Sequence, residues 1–194
     1  LCGLFGYDEE KSWGHITSGG TVANYEAMWV ARNIRSLADA LAEVRPDLME
    51  GFNEIQKANL PIDTLLSLLA RSKEDGDLDA VRRATAQYRG ANASLGKVLV
   101  PQSKHYSWTK ALDILGLGQN AMVPIPVGTD FRMDTEYLKK TVTNLIESGT
   151  PIMAVVTVTG TTESGAVDPV HHVTALRREL REKLGVGFYL HVDG

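Results

Sequence analysis

The sequence predicts an α/β fold: a mainly parallel sheet covered by helices, with a helical excursion inserted before most of it. Three observations carry that prediction. From about residue 98, short β-branched runs alternate with segments of helical periodicity. One run, "PIMAVVTV", is apolar throughout, as a strand buried on both faces is. Between about residues 37 and 96 no strand-like run occurs, and Pro46 and Pro61 break the stretch into helical pieces.

The first helix is expected in "HITSGGTVANYEAMWVARN", where small and hydroxyl residues run into Ala27, Met28, Val30 and Ala31. In the excursion, "LPIDTLLSLLAR" is apolar enough to be buried, and "DLDAVRRATAQYRG" has Asp77 as cap with Leu78, Val81 and Tyr88 on one side. Its expected role is packing or subunit contact, with a mobile lid as the alternative. "KVLVP" then reads as a strand, and "HYSWTKALDILGLG" as a helix with Trp108, Leu112 and Leu115 in its stripe. "AMVPIPV" is a second strand. "MDTEYLKKTVTNLIESG" is a helix capped by Asp134, with Leu138, Val142, Leu145 and Ile146 on one face and Gly149 as its stop. After "PIMAVVTV", the stretch "DPVHHVTALRRELREKLG" reads as a helix. Asp168 is its expected cap, Pro169 its first residue, and Val173, Leu176, Leu180 and Leu184 its stripe. "GFYLHV" closes the series as a strand. In it Phe188, Leu190 and Val192 face one way, and Tyr189, His191 and Asp193 the other.

Bulk properties exclude several classes. The 194 residues are 43% hydrophobic and 23% charged, which is ordinary globular composition with material for a sizeable core. A net charge of −4 with no basic tract longer than two residues argues against nucleic acid. No apolar run reaches the roughly 20 residues of a membrane span. Cys2 is the only cysteine, so no internal disulfide forms, and a reducing, cytoplasmic setting is expected. The chain opens at Leu1 with no visible leader, and a cut N-terminus is the expectation.

Three local features are candidates for chemistry. Gly19, Gly20 and Thr21 run directly into a helix, which suits a phosphate or carboxylate cradle; a plain glycine turn with Thr21 as N-cap is the alternative. His105 opens a helix after a strand, at the sheet edge where ligands bind; a capping or surface histidine is the alternative. Asp193 stands at a strand's C-terminal end, either capping a turn or holding a cationic ligand group. Neither the adjacent His171 and His172, about 100° apart on a helix, nor Cys2 and His15 have zinc-like spacing, so no metal is expected. Two glycine patterns are decoys. "GLGQNA" follows a helix and precedes a strand, the reverse of a dinucleotide site. "GANASLGK" has one residue too many for a nucleotide-binding loop.

The order of these features is more telling than any one of them. "GGTVANYEAMWVARNIRSL", "LVPQSKHYSWTKALDILGLG", "PVGTDFRMD", "TVTGTTESGAVDP" and "HVDG" together resemble the group II pyridoxal-phosphate-dependent amino-acid decarboxylases, and among them most resemble the bacterial tyrosine decarboxylases. The likeness covers nearly all 194 residues, including the helical excursion. It implies the fold-type I architecture of pyridoxal 5'-phosphate enzymes, and decarboxylation of an aromatic amino acid such as tyrosine. A related carbon–carbon lyase, an aminotransferase or a non-catalytic truncated partner subunit is the alternative. It also implies roles. Gly20 and Thr21 match the phosphate-binding turn. His105 matches the histidine stacked on the cofactor ring, with a part in proton transfer. Thr162 matches a residue lying against the cofactor near its pyridine oxygen. Asp193 matches the aspartate bound to the pyridinium nitrogen, which keeps that nitrogen protonated and the ring a good electron sink.

The departures are equally specific. The family's Schiff-base lysine lies downstream of this aspartate, and no lysine here, Lys104 and Lys110 included, sits in the matching motif. Gly194 stands where the family carries alanine. The expectation is the first part of a large cofactor-binding domain, without the lysine region or the small C-terminal domain and inactive alone. A further polypeptide or continuation would carry the lysine, and the complete unit would be a homodimer.

Overall fold

A computed structural model of the chain describes residues 1–89 and 94–194. Four strands form one parallel sheet: β1 (Lys97–Pro101), β2 (Met122–Ile125), β3 (Ile152–Val158) and β4 (Tyr189–Asp193). Their spatial order is β2-β1-β3-β4. All seven residues of β3 are buried, which explains its unbroken apolar run.

Each step along the sheet is made by a helix. The chain passes from β1 to β2 through α5 (Ser107–Ile114), from β2 across to β3 through α6 (Thr135–Glu147), and from β3 to β4 through α7 (Val170–Leu184). One face of the sheet packs Leu99, Val155 and Phe188 against Leu138, Val142 and Ile146 of α6 and Val173, Leu176 and Leu180 of α7. The other face packs Val98, Val100, Ala154 and Val156 against Trp108 and Leu112 of α5 and Met28 and Ala31 of α1 (Gly20–Val44). Because β1 leads outward one way and β3 starts the other way, the order reverses between them. Parallel sheets open a crevice at the strand C-termini at such a point.

Local signals set most boundaries. Asp134 caps α6 by accepting from the Tyr137 N–H at 2.9 Å. Gly185 ends α7 in the left-handed conformation, with φ +67°. Gly96, within the decoy "GANASLGK", has φ +97°, and a Cβ there would collide with the Pro151 carbonyl. It serves the close approach of β1 to β3, where the Lys97 N–H donates to that carbonyl at 2.8 Å. Residues 90–93 of the same decoy lie outside the described residues.

The helical stretch differs in detail from its sequence expectation. α1 runs unbroken through residue 37 to Val44, so the stretch begins inside that helix. Then come α2 (Glu54–Ala58), α3 (Ile62–Glu74) and α4 (Leu78–Ala84). Leu41, Leu48, Leu65, Leu69 and Val81 form a separate core there. Asp77 does not cap α4 with its side chain; its carboxylate pairs with Arg45, which also binds Asp47 and Asp75. Asn59 ties the unit to the sheet: its Oδ1 accepts from the Ile152 N–H and its carbonyl from the Gly187 N–H, both at 2.8 Å.

Asp168 corrects another expectation. Pro169, not Asp168, is the α7 N-cap. The Asp168 carboxylate is buried and accepts from the N–H groups of Met133 and Val158, both at 2.7 Å. Two backbone donors arriving from distant segments outcompete the local cap. Leu184, at the end of the predicted stripe, is exposed. Along β4 the alternation holds: Phe188 and Leu190 join the α6–α7 side and Tyr189 the α1–α5 side, while Val192 is exposed. No helix among the described residues is long and apolar enough to cross a membrane.

Candidate active site

The crevice at the strand C-termini holds a cleft of about 550 Å³. The loop after β1 brings Ser103, Lys104, His105 and Tyr106 to it. The loop after β3 brings Gly160, Thr161, Thr162 and Glu163, and the tip of β4 brings Asp193 and Gly194. The first turn of α1 closes a further side with Gly20, Thr21 and Asn24. Thus Gly20, Thr21, His105, Thr162 and Asp193, spread over most of the chain, line one cavity.

The α1 end is prepared for an anion. Its N-cap is Gly19, not Thr21, and φ +148° with ψ 163° there is a conformation essentially restricted to glycine. The first bonds back to the Gly19 carbonyl come from Val22 and Ala23, at 3.0 and 3.2 Å. The N–H groups of Gly20 and Thr21 therefore have no intrahelical acceptor, and the helix dipole adds partial positive charge.

Asp193 sits in a network the sequence did not reveal. Its Oδ2 accepts from the Trp108 indole N–H at 2.8 Å and from the Asn24 amide at 3.1 Å. Neither donor reaches Oδ1. The Asn24 amide also donates to Ser107 Oγ at 3.1 Å, and its carbonyl oxygen accepts from His191 Nε2 at 3.1 Å. Burial pushes the His191 imidazole below its ordinary value, and the Asp193 charge offsets this in part. Its ring meets Trp108 edge-on at 5.2 Å.

His105 is oriented through the same network. The Ser107 backbone N–H donates to its Nδ1 at 3.2 Å, and Ser107 Oγ lies 2.9 Å from that nitrogen. An accepting Nδ1 leaves Nε2 as the protonated nitrogen of the neutral ring. The Tyr106 ring lies beside it, tilted by 41° with centroids 4.1 Å apart. Thr162 is exposed on the loop whose base is fixed by Asp168. Among the described residues no cluster of three or more acidic, histidine or cysteine side chains is arranged to hold a metal.

The sequence alone does not mark Asn24, Ser107 or His191 as site residues, and it places Trp108 in the core. Two signals were available. Asn24 lies three residues after Thr21, on the same helix face. An indole N–H carried into a core needs an acceptor.

Residues 45–194 match the pyridoxal-dependent decarboxylase conserved domain. The chain belongs to that family. It is 43% identical over 190 residues to L-tyrosine decarboxylase of Levilactobacillus brevis, covering 98% of this chain and 30% of that one. The L-tyrosine decarboxylase of Enterococcus faecalis is 44% identical over 184 residues, 95% of this chain and 29% of the relative. The chain thus spans just under a third of these decarboxylases. The decarboxylase fold is matched by the glutamate decarboxylase domain of diaminobutyrate-pyruvate transaminase and L-2,4-diaminobutyrate decarboxylase from Vibrio parahaemolyticus. That structure has a TM-score of 0.61 and 23% identity, covering 100% of this chain and 32% of that chain. Pyridoxal 5'-phosphate is the cofactor of the family. The cleft is compatible with such a group: the first N–H groups of α1 lack an intrahelical acceptor and would suit a phosphate, and one oxygen of Asp193 has no protein donor and could accept from a protonated ring nitrogen.

Proposed function

We propose that the chain is part of a pyridoxal-phosphate-dependent L-amino-acid decarboxylase acting on tyrosine or a similar aromatic amino acid. The observation that carries this reading is the 43–44% identity to two L-tyrosine decarboxylases over nearly the whole chain. The cleft supports it with a group for each task. Pyridoxal 5'-phosphate, when bound, supplies the sink for the electron pair left as CO₂ departs.

This chain's residues do the rest. Gly20 and Thr21 bind the phosphate through the helix start. Asp193 holds a proton at the ring nitrogen with its Oδ1. His105, at the cleft, would lie against the bound ring and would deliver a proton from Nε2 to the carbon that loses CO₂, one proton entering as one CO₂ leaves. Thr162 lines the cleft and would lie against the bound cofactor. The lysine that carries the cofactor is expected beyond residue 194, in a complete unit that is a cytoplasmic homodimer.

The test uses the complete enzyme. Incubated with tyrosine, it should release CO₂ and tyramine in equal amounts. A keto acid product would make it an aminotransferase, and no product at saturating cofactor would leave a non-catalytic role. Borohydride trapping followed by peptide mapping should place the pyridoxyl label outside residues 1–194. A label on Lys104, which lines the cleft, would overturn that part.

A further inference from the structure

We infer that Asn24 is a positioning residue that aims the Asp193 carboxylate at the cofactor's ring nitrogen, an inference that rests on the role proposed above for Asp193. Asn24 is 3% exposed and sits one turn into α1, directly behind the phosphate-binding turn. Both protons of its amide nitrogen are used, one on Ser107 Oγ and one on Asp193 Oδ2. The orientation has one solution. A carboxylate only accepts, so the amide nitrogen must face Asp193. The carbonyl oxygen must then face His191, whose Nε2 must carry a proton.

The consequence lies at Asp193. Trp108 and Asn24 approach the same oxygen, from α5 and from α1. The Asp193 main chain is pinned separately, its carbonyl accepting from the Thr159 N–H at 2.7 Å. A carboxylate with a fixed backbone and two donors on Oδ2 cannot rotate freely about its side-chain bonds. Oδ1 receives neither donor, and Asp193 lines the cleft. Trp108 alone would allow the group to swing about a single hydrogen bond. Asn24 removes that freedom, and through Ser107 it joins the same frame to His105. Neither Asn24 nor Ser107 needs to touch the reacting atoms.

The experiment compares two ligands on the complete apoenzyme: pyridoxal phosphate, and its analogue with C–H in place of the ring nitrogen. Dissociation constants are read from quenching of protein fluorescence. The wild type should prefer pyridoxal phosphate. Asn24→Leu keeps about the volume of the side chain but cannot donate to Asp193. It should lower that preference about tenfold or more, because the hydrogen bond it removes is one to a charged group. Asn24→Ser, smaller and able to donate to one acceptor only, should lower it by a lesser factor. Thr21→Ala should weaken both ligands equally and leave the preference alone. An unchanged preference in either folded Asn24 variant overturns the positioning role while leaving the role of Asp193 intact. A wild type without preference overturns the role of Asp193 itself. Two Asn24 variants that both fail to fold by circular dichroism would make Asn24 a folding residue, and the positioning role would fall.

Discussion

In the proposed reaction, Asp193 and His105 divide the work of the cleft between holding a charge and moving a proton. Asp193→Asn keeps the size and a polar group but removes the charge proposed to hold the ring nitrogen protonated. Turnover of the complete enzyme should fall by about 10²–10³-fold or more, with the cofactor still bound. A loss of only a few-fold at confirmed occupancy would refute that role. His105→Phe keeps an aromatic face and loses the Nε2 proton. Cofactor binding should persist while turnover drops by about 10²–10⁴-fold, measured as single-turnover CO₂ release. Unchanged turnover would reduce His105 to a packing residue. His191 makes a third, pH-linked case. Burial lowers its proton affinity in the folded state, so the unfolded chain binds more protons just below the ordinary histidine value of 6.5. Stability is then lost as pH falls through that value and levels off once the folded group has also protonated. Urea midpoints measured between about pH 7.5 and 5 should show this slope, and His191→Gln should flatten it. An equal slope in both proteins would assign the effect elsewhere.

Among the elements, Asp168 is the most exacting test of how the loops are held. Its carboxylate joins the end of β3 to the segment before α6 through two buried N–H groups. Asp168→Ala orphans both and should cost about 2–4 kcal/mol, read from the denaturant midpoint of the complete enzyme. The loop carrying Thr162 should also become more sensitive to protease. What was legible in the sequence follows the range of each interaction. The strand "PIMAVVTV", the Asp134 cap and the Gly185 stop are decided within a few residues, and they stand where expected. Asp168 and Asp77 also looked like caps. Their carboxylates are claimed by partners 10 to 35 residues away, which no local pattern announces. Asn24 has the same difficulty. A polar residue in an amphipathic helix reads as solvent-facing until α5 and β4 close over it. Gly20, Thr21, His105 and Asp193 stand out as local features and Thr162 through the resemblance alone, while the reversal of strand order brings the five to one cleft.

At the scale of the whole molecule, two of the three buried cores among the described residues share one long component. The first half of α1 sends Met28 and Ala31 into the core against the sheet, and the second half sends Ala38, Ala40 and Leu41 into the helical core. At about 1.5 Å per residue the 25-residue helix is about 37 Å long, and its first turn is a wall of the cleft. A helix is a cooperative unit, so fastening its loose end lowers fraying well beyond the turn that is touched. Loading the complete apoenzyme with pyridoxal phosphate should therefore slow amide exchange at Ala38–Leu41 and in the neighbouring α3, as well as at Gly20–Asn24. Protection that stops within two turns of the cleft would show the halves to be independent. If it extends, α1 is a strut along which the grip on a small anion becomes rigidity in a layer of helices that never meets it.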